Sequence, residues 1–164
     1  MFQTLKHFLL ATQHEEIQIE SVRVISNLSR HSTLCDMFLD DATFIKTLAC
    51  VLDHNLRDLV YFSMGIIVNI SLYGKGDKTA TKLLGQADTN ILDKLVDVLK
   101  DSNLEDMEMA RVAAKALHNL QKVPNAGKYW SDSLVERLDE LTRSLGDDLD
   151  GIMVSAKLLL LIWE

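Results

Sequence analysis

The chain has little of what breaks a helix. Its 164 residues include one proline and seven glycines, which argues against the turn-rich pattern of an all-β fold. It has two cysteines, Cys35 and Cys50. They suggest neither a disulfide framework nor a zinc site and read as free thiols of a reducing compartment. It lacks an excess of positive charge: 17 Lys and Arg against 24 Asp and Glu leave a net charge of -7. That argues against nucleic acid as the main partner. Long apolar runs are missing too. The opening "MFQTLKHFLLATQ" has too short an apolar run for a signal peptide. The most apolar stretch, Ile152 to Trp163, is too short to span a bilayer and contains Lys157. The expectation is a soluble, cytoplasmic protein with no membrane insertion.

Catalytic and metal-binding patterns are absent as well. Among the five histidines no two stand three or four residues apart, and there is no H-E-x-x-H or G-x-S-x-G. "YGKGDKT" (73–79) lacks phosphate-loop spacing and follows a helical pattern, so it reads as a solvated loop. "DDLDG" (147–151) fails as a calcium loop because Lys157 stands where the bidentate glutamate belongs. No enzyme activity, cofactor or metal is expected.

What is present is helix-forming residues in abundance and enough length for a sizeable core. In "RDLVYFSMGIIVNIS" (57–71), Leu59, Phe62, Ile66, Ile67 and Ile70 share one broad helical face. Asn69 stands among them, and a buried amide costs free energy unless it finds a partner. Three other segments align with this one: "EIQIESVRVISNLS" (16–29), "DMEMARVAAKALHNLQ" (106–121) and "GIMVSAKLLLLIW" (151–163). Asn27, Asn69, Asn119 and Leu161 then form one column, at spacings of 42, 50 and 42 residues. Six residues earlier stand Ser21, Ser63, Ala113 and Ser155, all small, which predicts close helix approach. A second helix precedes each segment, with Leu5, Leu48, Leu95 and Leu138 aligned. Shorter helices fit at 32–41 and 78–87. The unit is therefore three helices in about 42 residues. Four units are expected, at 1–30, 31–73, 74–122 and 123–164, the last with the loop "VPNAGKYW" in place of its short helix. Apolar Phe2, Phe8 and Leu9 begin the chain and Trp163 lies near its end. They either pack within their own end units or form an end face that meets another chain or further repeats.

These columns resemble the armadillo repeat, whose third helix typically ends in A-x-x-A-L-x-N-L. "AAKALHNL" (113–120) is close to it, and "VRVISNLS" and "GIIVNIS" are weaker matches. The resemblance implies an all-α, right-handed superhelical solenoid of about four three-helix repeats. It also implies a non-enzymatic scaffold or adaptor whose third helices line a concave groove. "EIQIESVRVISNLSR" and "RDLVYFSMGIIVNIS" are similar to repeats of a ciliary member linked to radial-spoke assembly, which implies a place at the cilium or flagellum and axonemal or transport proteins as partners. Carried over by column, Asn27, Asn69 and Asn119 would hold the backbone of an extended peptide. The competing reading is that each bonds within the solenoid and fixes the repeat geometry. In the family's nuclear-import branch a tryptophan stands four residues before the asparagine. Here that column reads Arg23, Gly65, Lys115 and Lys157, so nuclear-localisation signals are not the expected ligand. The cations favour an acidic extended segment if they face the groove, and are otherwise solvated helix residues. His118 is a groove or helix-surface residue. The family commonly has glycine in the turn after the short helix. This chain offers Asp41 in the first such turn and Gly85 or Asp88 in the second, and aspartate tolerates the left-handed region better than most residues.

Overall fold

The computed structural model describes residues 2–11, 14–74, 76–86, 88–102 and 106–144, and every regular element among them is a helix. In chain order these are α1 (Phe2–Ala11), α2 (Glu15–Leu28), α3 (Ser32–Asp40), α4 (Ala42–Val51), α5 (Arg57–Tyr73), α6 (Gly76–Leu84), α7 (Ile91–Asp101), α8 (Met107–Gln121), a 3-10 turn (Ala126–Tyr129) and α9 (Asp132–Ser144). The helix expected at 151–163 lies outside the described residues.

Local chemistry sets several of the boundaries. Asp41 caps α4 by accepting from the Phe44 N–H at 2.9 Å, and Asp106 caps α8 by accepting from the Met109 N–H at 3.1 Å. Asp41 has φ -91 and ψ 89, so it is a capping residue and not a left-handed one. The left-handed residue of the corresponding turn is Asn90, with φ 44, at the start of α7. Asparagine enters that region for the same reason as aspartate, its short polar side chain. Two segments read as loops hold helical turns: α6 starts at Gly76, inside "YGKGDKT", and "VPNAGKYW" contains the 3-10 turn. The first case has a steric side. Gly74 lies so close to α6 that a Cβ there would come within 2.2 Å of Thr79 Oγ1, and this lets α6 begin directly after α5.

The third helices α2, α5 and α8 stack in sequence, α5 lying between the other two. The second helices α1, α4 and α7 pack on α2, α5 and α8, and α9 packs on α7. One core runs through the stack. Val22, Ile25, Phe38, Phe44, Leu48, Met64, Ile67, Leu95, Ala113 and Leu117 are all fully enclosed. The two helices fill the core differently: α8 buries Ala110, Ala113, Ala114 and Ala116, and α5 buries the larger Ile66, Ile67, Val68 and Ile70. Ion pairs about one unit apart in sequence tie the outside together. Lys94 reaches Asp53 at 2.6 Å and the Ala49 carbonyl at 2.9 Å, Arg137 reaches Asp93 at 2.8 Å and Asp97 at 2.5 Å, and Lys78 reaches Asp40 at 3.0 Å.

Candidate functional site

The asparagine column sits in the seams between third helices. Asn69 Nδ2 donates to the Ser26 carbonyl at 3.3 Å and to Ser29 Oγ at 2.9 Å. Asn119 Nδ2 donates to the Val68 carbonyl at 3.3 Å. Ser26 and Val68 each stand one residue before the asparagine of their own unit, so the same bond recurs from unit to unit. It stitches α5 to α2 and α8 to α5, and it offsets the cost of placing an amide beside the aliphatic stripe. Asn69 commits both N–H groups and Asn119 one, and among the described residues neither Oδ1 accepts a hydrogen bond. Each amide therefore keeps acceptor capacity at its Oδ1. Asn27, at the head of the column, is exposed.

Two rows flank this column on the same helix faces. Four residues before the asparagines stand Arg23, Gly65 and Lys115. Arg23 and Lys115 are exposed, and Arg23 pairs with Glu20. Gly65 is half-buried where α5 packs on α2, and a Cβ there would meet Ser26 Oγ at 3.0 Å. Three residues after the asparagines stand Arg30, Leu72 and Lys122, all exposed, with Leu72 55% exposed. Leu72, Asn119, Lys122 and Pro124 line one hollow of about 250 Å³. The sequence reading passed over this second row, although a step of three residues along the same face reaches it. His118 is half-buried and belongs to the column of Ser26 and Val68. Lys157 lies outside the described residues.

The other end of the face is closed by a clamp. Arg57 binds both carboxylate oxygens of Asp106, with Nη2 to Oδ1 at 2.9 Å, and reaches Glu108 at 3.0 Å. Its guanidinium also lies over the Tyr61 ring, 5.7 Å from the centroid. The Arg57 hydrogen bonds hold the Asp106 carboxyl below the usual carboxylate range. Burial, followed by a hydrogen bond to Glu108, pushes the Tyr61 phenol up. A hollow of about 550 Å³ lies beside this clamp between the turns that follow α4 and α7. Three of its acids, Asp53, Asp97 and Asp106, are already paired with Lys94, Arg137 and Arg57. Among the described residues no group of three or more His, Cys, Asp or Glu could hold a metal ion, and no helix is long and apolar enough to cross a membrane.

The expected end face needs correction. Phe2 is buried edge-on against Phe38 and Phe44, with centroids 5.0 and 5.1 Å away, and Leu9 is buried too. Phe2 thus packs into the following unit, and both residues lie in the core, where they cannot meet a partner. Of the residues named from sequence Phe8 is exposed, and Trp163 lies outside the described residues. The apolar outer surface is instead carried by α2, through Ile17 and Val24.

Solved structures decide the fold. The crystal structure of an engineered protein superposes with a TM-score of 0.75 at 22% identity, over 98% of this chain and 61% of that one. A designed armadillo repeat protein in complex with the peptide (KR)4 superposes with a TM-score of 0.73 at 18% identity, over 98% and 63%. The fold is that of the armadillo repeat. In sequence the chain is similar to armadillo repeat-containing protein 2. It is 27% identical to the cattle protein over 141 residues and 28% identical to the mouse protein over 131. These matches cover 85% and 79% of this chain but only 16% and 14% of the relatives, so this chain spans about one-sixth of their length. No protein-family model matches.

Proposed function

We propose that this chain is a non-enzymatic protein-binding scaffold whose concave face takes an acidic, extended segment of a partner protein. The observation that carries this is a band of cations on an acidic chain. Arg23 and Lys115 on the stacked third helices, and Arg30 and Lys122 just past the ends of α2 and α8, are exposed, although the net charge is -7. The armadillo fold is commonly a protein-binding scaffold. A designed neighbour holds the basic peptide (KR)4, and the cations on this face favour a ligand of the opposite sign. They would steer it into register and reject basic segments. The Oδ1 atoms of Asn69 and Asn119 are suited to accept from its backbone N–H groups, and Asn27 would add both halves of its amide. The proposal extends to the cytoplasm and to the cilium or flagellum, with axonemal or transport proteins as partners, on the strength of the sequence resemblance.

The test is a pull-down from ciliated-cell extract, identified by mass spectrometry. The native chain is compared with a Arg23→Glu, Lys115→Glu variant shown by circular dichroism to be folded. Axonemal or transport proteins are expected with the native chain and lost from the variant. An unchanged partner list would move the interface off this face.

A second reading rests on Ile17 and Val24. It makes the chain a structural subunit whose α2 outer face is covered by the third helix of a neighbouring subunit, seated as α2 is on α5. An Ile17→Glu, Val24→Glu variant is then expected to leave the assembly while the groove variant stays. The reverse pattern would remove this reading.

A further inference from the structure

The two rows beside the asparagines share one charge pattern. Each reads cation, neutral, cation from α2 through α5 to α8: Arg23, Gly65, Lys115 in one and Arg30, Leu72, Lys122 in the other. The face therefore has two cationic walls and an uncharged floor. Compensation of helix dipoles accounts for Lys122, the C-cap of α8, and for Arg30, just past the end of α2. It does not account for Arg23 and Lys115, which stand mid-helix. The floor is apolar toward one end, where Leu72 is exposed and shares a hollow with Asn119 and Lys122. The acids of the third helices lie at the opposite end, as Glu16, Asp58 and Glu108, with Glu20 paired to Arg23. An acidic ligand would be held in the cationic half and turned away from the other.

The walls are two helix packings apart. At about 8–10 Å per packed pair they are separated by roughly 16–20 Å. An extended chain crossing the helices advances about 3.3 Å per residue. Resting on the groove reading above, we propose that this face selects an extended segment with two acidic clusters about five or six residues apart around a central aliphatic or aromatic residue. The acids would fall on Arg23 and Arg30 and on Lys115 and Lys122, and the apolar side chain on Leu72. A plain run of acids would put several charges over an uncharged floor, where no cation offsets their desolvation.

Fluorescence anisotropy with labelled synthetic peptides tests the pattern. One peptide carries Glu-Asp pairs about six residues apart around a central leucine. A second has the same composition with all the acids together, and a third has serine for the leucine. The spaced peptide is expected to bind about tenfold tighter than the clustered one, and to lose about tenfold on Arg23→Glu, Lys115→Glu. Leu72→Ser is expected to weaken the leucine peptide about fivefold and leave the serine peptide unchanged. All three substitutions are at exposed positions, and melting curves check that the variants fold. Equal binding of the spaced and clustered peptides, still lost on charge reversal, would overturn the spacing and leave the acidic groove standing. No binding of either peptide, or binding indifferent to charge reversal, would overturn both.

Discussion

The seam between α2 and α5 and the outer face of α2 carry the same columns and meet different fates. In α5, which has α2 packed against it, Leu59 and Ile66 are 1% and 0% exposed. In α2 the same columns hold Ile17 and Val24, which are 40% and 39% exposed. The asparagines differ in the same way. Asn69 is tied to Ser26 and Ser29 across the seam, while Asn27 is exposed. An apolar column and an amide are therefore a complete interface only where a third helix lies against them. The same residues are core in one unit and surface in the next, because nearest-neighbour contact is what stabilises a solenoid.

The largest expected effect sharpens this contrast. Ile66→Ala should cost about 2–5 kcal/mol by opening a cavity in the seam, and Val24→Ala should stay within about 0.5 kcal/mol. Chemical denaturation of the two variants measures both. Comparable losses would mean that the outer face of α2 is covered in solution. Next comes the amide. Asn69→Ala leaves the Ser26 carbonyl and the Ser29 hydroxyl without this donor and should cost about 1–3 kcal/mol, against little for Asn27→Ala. If both leave the midpoint unchanged, the stitch carries no stability and the column is kept for ligands alone.

The smallest effect is at the clamp between α5 and α8. Asp106 has its carboxyl held below the ordinary 3.8 by Arg57. A lowered folded value contributes stability that is complete above the unfolded value and lost as pH falls through the folded one. Asp106→Asn should therefore lower stability near neutral pH, by under about 1 kcal/mol for so exposed a pair. The difference from the native chain should shrink as pH drops below about 4. A difference that stays constant through that range would assign the loss to the α8 cap and not to the ion pair.

Much of this was legible in the sequence. The spacings of Asn27, Asn69 and Asn119, the small column at Ser21, Ser63 and Ala113, and the leucines of the second helices all follow from helical periodicity and repetition. Asn90 as the left-handed residue, the start of α6 at Gly76 and the burial of Phe2 were not legible. A turn conformation and a helix start depend on single local contacts, and an aromatic at the head of the chain gives no sign of whether Phe38 and Phe44 wait for it. The second cationic row was legible in principle, since Arg30, Leu72 and Lys122 repeat at the same interval as the asparagines.

The sequence by itself determined the helices, the length of the unit and the residues that line each third helix, because these depend on periodicity along one chain. Only the tertiary structure decided that Asn69 and Asn119 spend their N–H groups on the preceding unit, and that Arg57 of one unit clamps Asp106 of the next. It also decided that Ile17 and Val24 stand at the surface where Leu59 and Ile66 are enclosed. Burial and hydrogen bonding belong to pairs of helices, and which helix lies against which column is settled only when the units stack.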